Sequence, residues 1–319
     1  MEIKKNDIFT VTIEDMGEDG AGIGRVDGYI WFVKDALIGD TIEASAMKMK
    51  KNYGFARLVR VITPAKGPVE AKCPVARACG GCQLQELDYK EQLKFKEKKV
   101  YNHLKRIGGM ENLFLPEEAD QAAGVPDAVI MEPIIGMEDP WRYRNKAQYP
   151  IGRGKDGKPT AGFFAGRTHS LIPVPELDCL LGCAENKDYL AAVLKFMEDF
   201  GVEPYDEANH KGLVRHVLLR KGFASGEHMV CLVINGKKLP HEKEFIERMR
   251  EAGADSISLS FNMEKTNVIL GTEIKNLYGP GYITDKIGNI EYRISPLSFY
   301  QVNPVQTERL YGTALEFAD

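Results

Sequence analysis

Residues 73–83 read CPVARACGGCQ and place Cys73, Cys79 and Cys82 within ten positions, in the spacing C-x5-C-x2-C. Thiolates this close repel one another unless a cation or cluster joins them, and the two glycines let the backbone wrap tightly around one. Three thiolates are one short of a four-ligand site. Zinc would usually bring two short cysteine pairs, or paired cysteine and histidine. A first gap of five fits an all-cysteine [4Fe–4S] site with a remote fourth ligand better. Cys179 and Cys183 in PELDCLLGC are the candidates for that ligand, and spacing alone does not choose between them. Cys231, inside MVCLVI, reads as a small core hydrophobe.

Other stretches have the residue types for binding an anion or a base. Lys48, Lys50, Lys51, Arg57 and Arg60 sit between Ala46 and Arg60 without an acid, with Tyr53 and Phe55 interleaved. Cations on strands beside aromatic rings fit contact with an RNA backbone and its bases. The alternative is a solvated basic edge that blocks strand pairing. In WRYRNKAQYPIG, residues 141–152, the alternation of Arg142, Arg144 and Lys146 predicts a strand with three cations on one face. Phosphate is the natural anion over such a row, and a solvated sheet face is the alternative. His216, beside Arg215 in GLVRHVLLRK, reads as a satisfied sheet residue. In SFYQVNP, residues 298–304, Phe299, Tyr300, Gln301 and Asn303 precede a proline and a helix. Such a junction could meet a planar heterocycle by stacking and amide hydrogen bonds.

Short strands at 7–63, joined by glycine-rich turns, predict a small closed barrel. Gly20 to Gly24 reads as a hairpin turn, since it lacks the full phosphate-loop spacing and no helical pattern follows. Pro64, Gly67 and Pro68 form a linker. A basic helix follows from Leu87 to about Ile107, with Leu93, Val100, Leu104 and Ile107 on one face and Gly108-Gly109 as its stop. Residues 111–127 read as an exposed, mobile loop. From Ile134 the texture is α+β, a sheet with helices on one side. Its expected strands are AQYPIG, AGFFAG, LVRHVLLRK, HMVCLVIN, SISLSFN, NVILG and IEYRISP, with helices at Asp188–Phe200 and His241–Ala252. An amphipathic helix ends the chain at LEFAD, which reads as a cut.

The 319 residues are 44% hydrophobic and 28% charged, an ordinary soluble profile. A net charge of −4 excludes a polycation, so any nucleic-acid contact must be local. No apolar run approaches the roughly 20 residues of a membrane span, and MEIKKNDIF lacks a signal-peptide core. The expectation is a cytoplasmic protein with no membrane partner, in which clustered cysteines serve metal or catalysis.

Together these stretches resemble the S-adenosylmethionine-dependent RNA (uracil-5-)-methyltransferases, which make 5-methyluridine in ribosomal or transfer RNA, the 23S rRNA type being most similar. GEDGAGIGRVDGYIWFVKDALIGDTIEA is similar to the RNA-binding TRAM barrel of that family, and CPVARACGGCQLQ to its Fe–S loop. WRYRNKAQYPIG, GFFAGRTHSLIPVPELDC and ISPLSFYQVNP are similar to its central-domain and cofactor-entry segments. The resemblance implies Cys73, Cys79, Cys82 and Cys179 as ligands of a [4Fe–4S] cluster, with Cys183 the runner-up to Cys179. It implies Gln301 as a holder of S-adenosylmethionine and Phe299 beside the target base. Lys48, Lys50, Lys51, Tyr53, Arg57, Arg142, Arg144 and Lys146 would face RNA, either rRNA or tRNA.

The implied fold is multidomain: an OB-like TRAM barrel at 1–64, then an Fe–S loop at 65–90 with a central α+β domain at 128–292. Residues 91–127 and 293–319 would be pieces of a truncated Rossmann-like methyltransferase domain. The family's glycine-rich donor loop, nucleophilic cysteine and carboxylate base follow the QVN helix, and no such segments occur before Asp319. The chain is therefore expected to be an inactive, monomeric fragment that retains RNA binding and the cluster, with an incomplete donor site. The cluster would clip its loop to the sheet domain. A complete, non-catalytic Fe–S RNA-binding or ribosome-assembly factor is the alternative.

Overall fold

A computed structural model describes residues 3–318 apart from 18, 66, 68 and 167, so Pro68 of the expected linker lies outside the described residues. The chain divides into two compact units, residues 1–72 with 82–138 and residues 73–81 with 139–319. These bounds differ from the expected ones. The basic helix and residues 111–127 group with the barrel, and residues 293–319 group with the central domain.

In the first unit β1 (Ile8–Met16), β2 (Gly22–Val26), β3 (Tyr29–Lys34), β4 (Thr41–Met49) and β5 (Tyr53–Thr63) close into a barrel in the order β1-β2-β3-β5-β4. Alternate residues fill it: Val11, Ile13, Trp31, Val33, Ile42, Ala44, Ala46 and Ala56 are buried together. Two glycines allow the close approach. A Cβ on Gly24 would lie 2.4 Å from the Thr12 carbonyl, and one on Gly54 would lie 2.6 Å from the Trp31 ring. Glycine in the GAGIG stretch therefore serves strand packing, and β2 begins inside the stretch expected to be a turn. Asp40, buried, accepts from the backbone N–H of Leu37 at 2.9 Å and of Ala65 at 2.7 Å, tying the end of the barrel to the segment that follows.

Helix α1 (Tyr89–Arg106) is capped by Asp88, whose carboxylate accepts from the Lys90 N–H. The expected apolar stripe is not a buried one. No α1 residue is buried, and Val100 and Ile107 are exposed. The following chain holds the helix instead, through Glu97 accepting from the Ile134 N–H and Tyr89 accepting from the Met137 N–H. Residues 111–127 are not a bare loop either. They contain β6 (Leu113–Phe114) and α2 (Ala119–Ala122), and β6 pairs in parallel with β7 (Val129–Ile130) around the buried Leu113.

The second unit is built on β8 (Lys146–Arg153), β9 (Pro159–Phe164), β10 (Leu171–Pro173), α3 (Asn186–Phe200), β11 (Val214–Lys221), β12 (His228–Ile234), α4 (Glu242–Glu251), β13 (Ser256–Phe261) and β14 (Glu273–Tyr278). The sheet order is β10-β9-β8-β11-β12-β13-β14, antiparallel except for the β12–β13 pair, which α4 connects. NVILG is not a strand; β14 begins after it. One sheet face, with Tyr149, Val217, Leu219, Val230, Leu232 and Ile257, packs on Tyr189, Val193, Phe196 and Met197 of α3 and on Phe245 and Met249 of α4. Each such side chain contributes about 1.5–3 kcal/mol by leaving water. Gly201, at φ 63°, ends α3 in the left-handed conformation glycine favours.

Strand alternation turns the intervening residues to the other face, which mixes polar side chains, Lys146 and Gln148 from β8, His216 and Arg220 from β11, and Ser256, Ser258 and Ser260 from β13, with the buried Leu218, Cys231 and Val233. The hairpin β15 (Ile283–Ile287) and β16 (Ile290–Ile294) forms a second core here, where Ile283, Ile294 and Tyr300 pack with Met229. Helix α5 (Pro304–Glu316) follows, its cap Asn303 accepting from the Gln306 N–H.

His216 is held neutral on this face, where burial and then the Arg215 charge push its pKa down to about 4. A histidine that must charge on unfolding stabilises the fold fully above its ordinary pKa and loses that contribution as pH falls through the folded value. Urea unfolding of the chain should therefore show stability falling between pH 6.5 and 4, by up to about 3 kcal/mol from this group. His216→Gln should lose less over the same range.

Candidate functional site

Cys79 marks where three thiols of the second unit meet. Burial pushes its thiol up, a hydrogen bond from the Gly81 N–H opposes the shift, and the nearby Cys179 and Cys73 thiols push it further up. Such crowding of thiols disfavours ionisation unless a positive centre offsets it. The loop that carries Cys79 is seated on the end of β9, with the Gly80 N–H donating to the Phe164 carbonyl at 3.1 Å. Cys183 differs. It is buried, its Sγ donates to the Arg144 carbonyl at 3.4 Å, and burial pushes its thiol up to about 11. All six cysteines are free thiols, and Cys82 falls in the first unit. Among the described residues no group of three or more His, Cys, Asp or Glu side chains is set to hold a metal ion.

Arg142 positions Cys179. Its guanidinium grips the Asp178 carboxylate with both ends and also donates to the carbonyls of Cys179 at 3.2 Å and Gly182 at 3.4 Å. The expected strand of alternating cations is corrected here. Arg142 has a φ of 55°, residues 142 and 144 donate their backbone N–H groups to Leu180 and Leu181, and β8 begins only at Lys146. Once the backbone bonds run to 180–182, Arg142 turns away from the row and is neutralised by Asp178.

What replaces the row is a cluster the sequence reading missed. Arg220 lies directly opposite Lys146 in the β8–β11 ladder. Like charges in that position destabilise a sheet unless something else satisfies them. Arg220, 5% exposed, donates from one guanidinium nitrogen to the carbonyls of Pro296 at 3.3 Å and Ser298 at 2.5 Å while its Nε has no hydrogen-bond partner among the described residues, and burial pushes its pKa down to about 10. Lys146 is pushed down by burial, then by the charges of Arg220 and Arg144. Neither Arg144 nor Lys146 has a carboxylate partner among the described residues. The strand-period placement of Arg220 in VRHVLLRK, two residues from Leu218 and four from His216, was the available signal.

The QVN segment joins this cluster through Asn145. Its side-chain amide donates to the Gln301 carbonyl at 2.9 Å, and its backbone N–H donates to the Val302 carbonyl at 2.9 Å. Phe299, next to the Ser298 that Arg220 holds, is 85% exposed. An unpaired cation pair, a buried arginine and a free aromatic face thus share one polar surface, which suits phosphate and a base.

In the barrel the β4–β5 hairpin carries Lys48, Lys50, Lys51, Tyr53 and Arg57. These cations are exposed and have no carboxylate partner among the described residues. Tyr29 shapes the turn, donating from its hydroxyl to the carbonyls of Lys50 and Tyr53. Phe32, Tyr53 and Phe55 cluster with ring centroids 5.7 Å apart. Arg60 leaves the set, because Glu43 on β4 takes both ends of its guanidinium at 2.8 and 2.6 Å.

Residues 4–59 match the TRAM domain family. An uncharacterized RNA methyltransferase of Halalkalibacterium halodurans is 44% identical over 319 residues, covering 99% of this chain and 66% of that protein. One of Clostridium tetani is 43% identical over 320 residues, with coverage of 99% and 65%. The barrel is a TRAM domain, and nearly the whole chain is similar to these proteins. It spans 65–66% of the length of these curated relatives. A solved structure, the Pyrococcus abyssi tRNA (uracil-54, C5)-methyltransferase in complex with S-adenosyl-L-homocysteine, shares the fold at a TM-score of 0.71 and 23% identity, over 96% of this chain and 64% of that one. Among the described residues no helix is long and apolar enough to cross a membrane.

The Arg142–Asp178 contact should be visible in titration. The Arg142 guanidinium holds the Asp178 carboxyl below its ordinary value, so the contact is complete above the usual carboxylate range and is lost as pH falls through the lower folded pKa. Amide exchange at Arg142 and Arg144, corrected for intrinsic rates, should be faster in Asp178→Asn than in the parent at pH 7. The difference should close below about pH 4.

Proposed function

We propose that the whole protein transfers a methyl group to C5 of a uridine in ribosomal or transfer RNA, with S-adenosylmethionine as the donor. The observation that carries this reading is the unpaired Arg144 and Lys146 beside buried Arg220, on the surface that also presents Phe299. The relatives named RNA methyltransferase support the reaction, and the TRAM barrel supports RNA as the partner. In this reading Lys48, Lys50, Lys51, Tyr53 and Arg57 meet the RNA from the barrel. Arg144 and Lys146 hold phosphate, and Phe299 lies against the target base. Arg142 keeps a positioning role through Asp178 and the Cys179 carbonyl.

Methylation at C5 needs a thiolate that adds to C6, so that C5 can attack the donor's methyl and release the donor as a thioether, and a base that then takes the C5 proton as the thiolate is expelled from C6. Cys231 is unsuited to that attack, being fully buried with its thiol pushed up to about 11, and Cys183 is buried likewise. Neither is therefore proposed as the nucleophile, which this reading assigns, with the base, to the rest of the whole protein. Gln301, whose backbone Asn145 fixes, is the residue proposed to reach the donor.

Cys73, Cys79, Cys82 and Cys179 are the proposed ligands of a [4Fe–4S] cluster. The all-thiol donor set suits it, and the upward push on Cys79 from burial and then from the neighbouring thiols is what a bound positive centre would relieve. When bound, such a cluster would supply a cross-link that ties residues 73–81 to the loop at 179.

Two outcomes are expected. With unmodified rRNA or tRNA, the chain should bind with a salt-dependent affinity that Lys48→Ala/Lys50→Ala/Lys51→Ala weakens, shallowing the salt slope by about three phosphate contacts. It should incorporate no label from a methyl-labelled donor, whereas the whole protein should; incorporation by the chain would sink this division of labour. In anaerobically purified protein, iron and sulfide should be lost in Cys179→Ala and retained in Cys183→Ala.

A further inference from the structure

The second unit holds a cleft of about 490 Å³ lined by Gly80, Phe164, Ala165, Gly166, Thr168, His169 and Asn267. Two of its walls are aromatic. The Phe164 and His169 rings meet edge to face, with centroids 5.3 Å apart at 78°, and His169 is exposed. A planar group lying on one ring therefore meets the other with its edge.

The third wall is a side chain on a loop that the fold has made rigid. Arg215, 3% exposed, donates to the carbonyls of Asn262 at 3.1 Å, Glu264 at 2.8 Å and Thr266 at 3.3 Å. The Asn262 amide donates to the carbonyls of Val268 at 2.6 Å and Ile269 at 3.0 Å. Residues on both sides of Asn267 are thus pinned, while Asn267 itself is exposed and has no hydrogen-bond partner among the described residues. The buried guanidinium, which also pairs with Glu207 and lies over the Tyr205 ring, fixes this loop and leaves the Asn267 amide, a donor and an acceptor together, lining the cleft. The floor cannot accept a side chain. A Cβ on Gly80 would lie 2.6 Å from the Phe164 carbonyl and 3.0 Å from the Gly166 nitrogen.

We propose that this cleft is a subsite for one unpaired RNA base, stacked on the Phe164–His169 pair and hydrogen-bonded at its edge by Asn267. The proposal rests on the RNA reading above and adds a contact remote in sequence from Phe299. An aromatic pair plus one amide matches a base, which has two flat faces and a donor–acceptor edge. It suits a single strand and not a duplex, where those faces and edges are already used.

The test uses the full chain with fluorescently labelled single-stranded and duplex oligoribonucleotides of the same length, read by anisotropy. His169→Ala and Asn267→Ala, both exposed positions, should each weaken single-strand binding about tenfold and leave duplex binding unchanged. Irradiation of bromouridine-substituted single strand should cross-link to the peptide spanning 161–172. Parent-like single-strand affinity in both variants, or cross-links confined to other peptides, would overturn the subsite while leaving RNA binding by the chain intact. Failure of the parent chain to bind either RNA would overturn the RNA reading as well.

Discussion

Three buried or half-buried arginines decide where the functional loops of the sheet unit lie. Arg142 holds the loop of Cys179, Arg215 holds the loop of Asn267, and Arg220 holds the segment of Phe299 and Gln301. Each donates to at least two backbone carbonyls, and Arg142 also grips the Asp178 carboxylate. A guanidinium offers five donors in a fixed fork, so one side chain can satisfy several loop carbonyls that strand or helix pairing leaves over. The same fork makes the contact expensive to abandon, since the charge would be left buried and unsolvated. Loops that would otherwise drift are thereby held against a rigid sheet, and a rigid sheet is what a site with ångström tolerances needs.

The polar sheet face follows from this arrangement. Lys146 and Arg220 oppose each other across β8 and β11, and only because Arg220 turns to the carbonyls of 296 and 298 can the pair persist. Lys146 is then left as a half-buried cation beside Arg144, with no acid to neutralise it. The barrel reaches the same outcome by another route. Glu43 withdraws Arg60, and the cations at the β4–β5 turn remain free beside the Phe32–Tyr53–Phe55 cluster. In both units the charges available to an anion are those left over after the fold has used its own acids and carbonyls.

Much of the fold was legible because it is periodic. Alternation located the barrel strands, β8, β9, β11, β12, β13 and β16, and the 3.6-residue period located α3, α4 and α5 to within a few residues. Where the reading failed, long-range contacts overrode local pattern. The alternation of Arg142, Arg144 and Lys146 gave way to pairing with 180–182. NVILG has strand composition, yet the carbonyls of 268 and 269 are taken by Asn262, and pairing starts only at Glu273. In 111–127 the composition of a loop concealed a two-residue ladder whose partner lies sixteen positions away.

The sequence by itself determined the inventory: a barrel, a mixed sheet, six cysteines with three in one loop, and basic stretches within an acidic whole. Spacing left Cys179 and Cys183 level. The tertiary structure places them differently, with Cys183 buried against the Arg144 carbonyl and Cys179 near Cys79. It alone also decided which cations are free, because that depends on which carboxylate or carbonyl lies across a ladder or at the end of a loop. Charge and thiol chemistry act over a few ångströms in space, and the distance along the chain between such partners, 36 residues for Arg142 and Asp178 and 78 for Arg220 and Ser298, carries no trace of it.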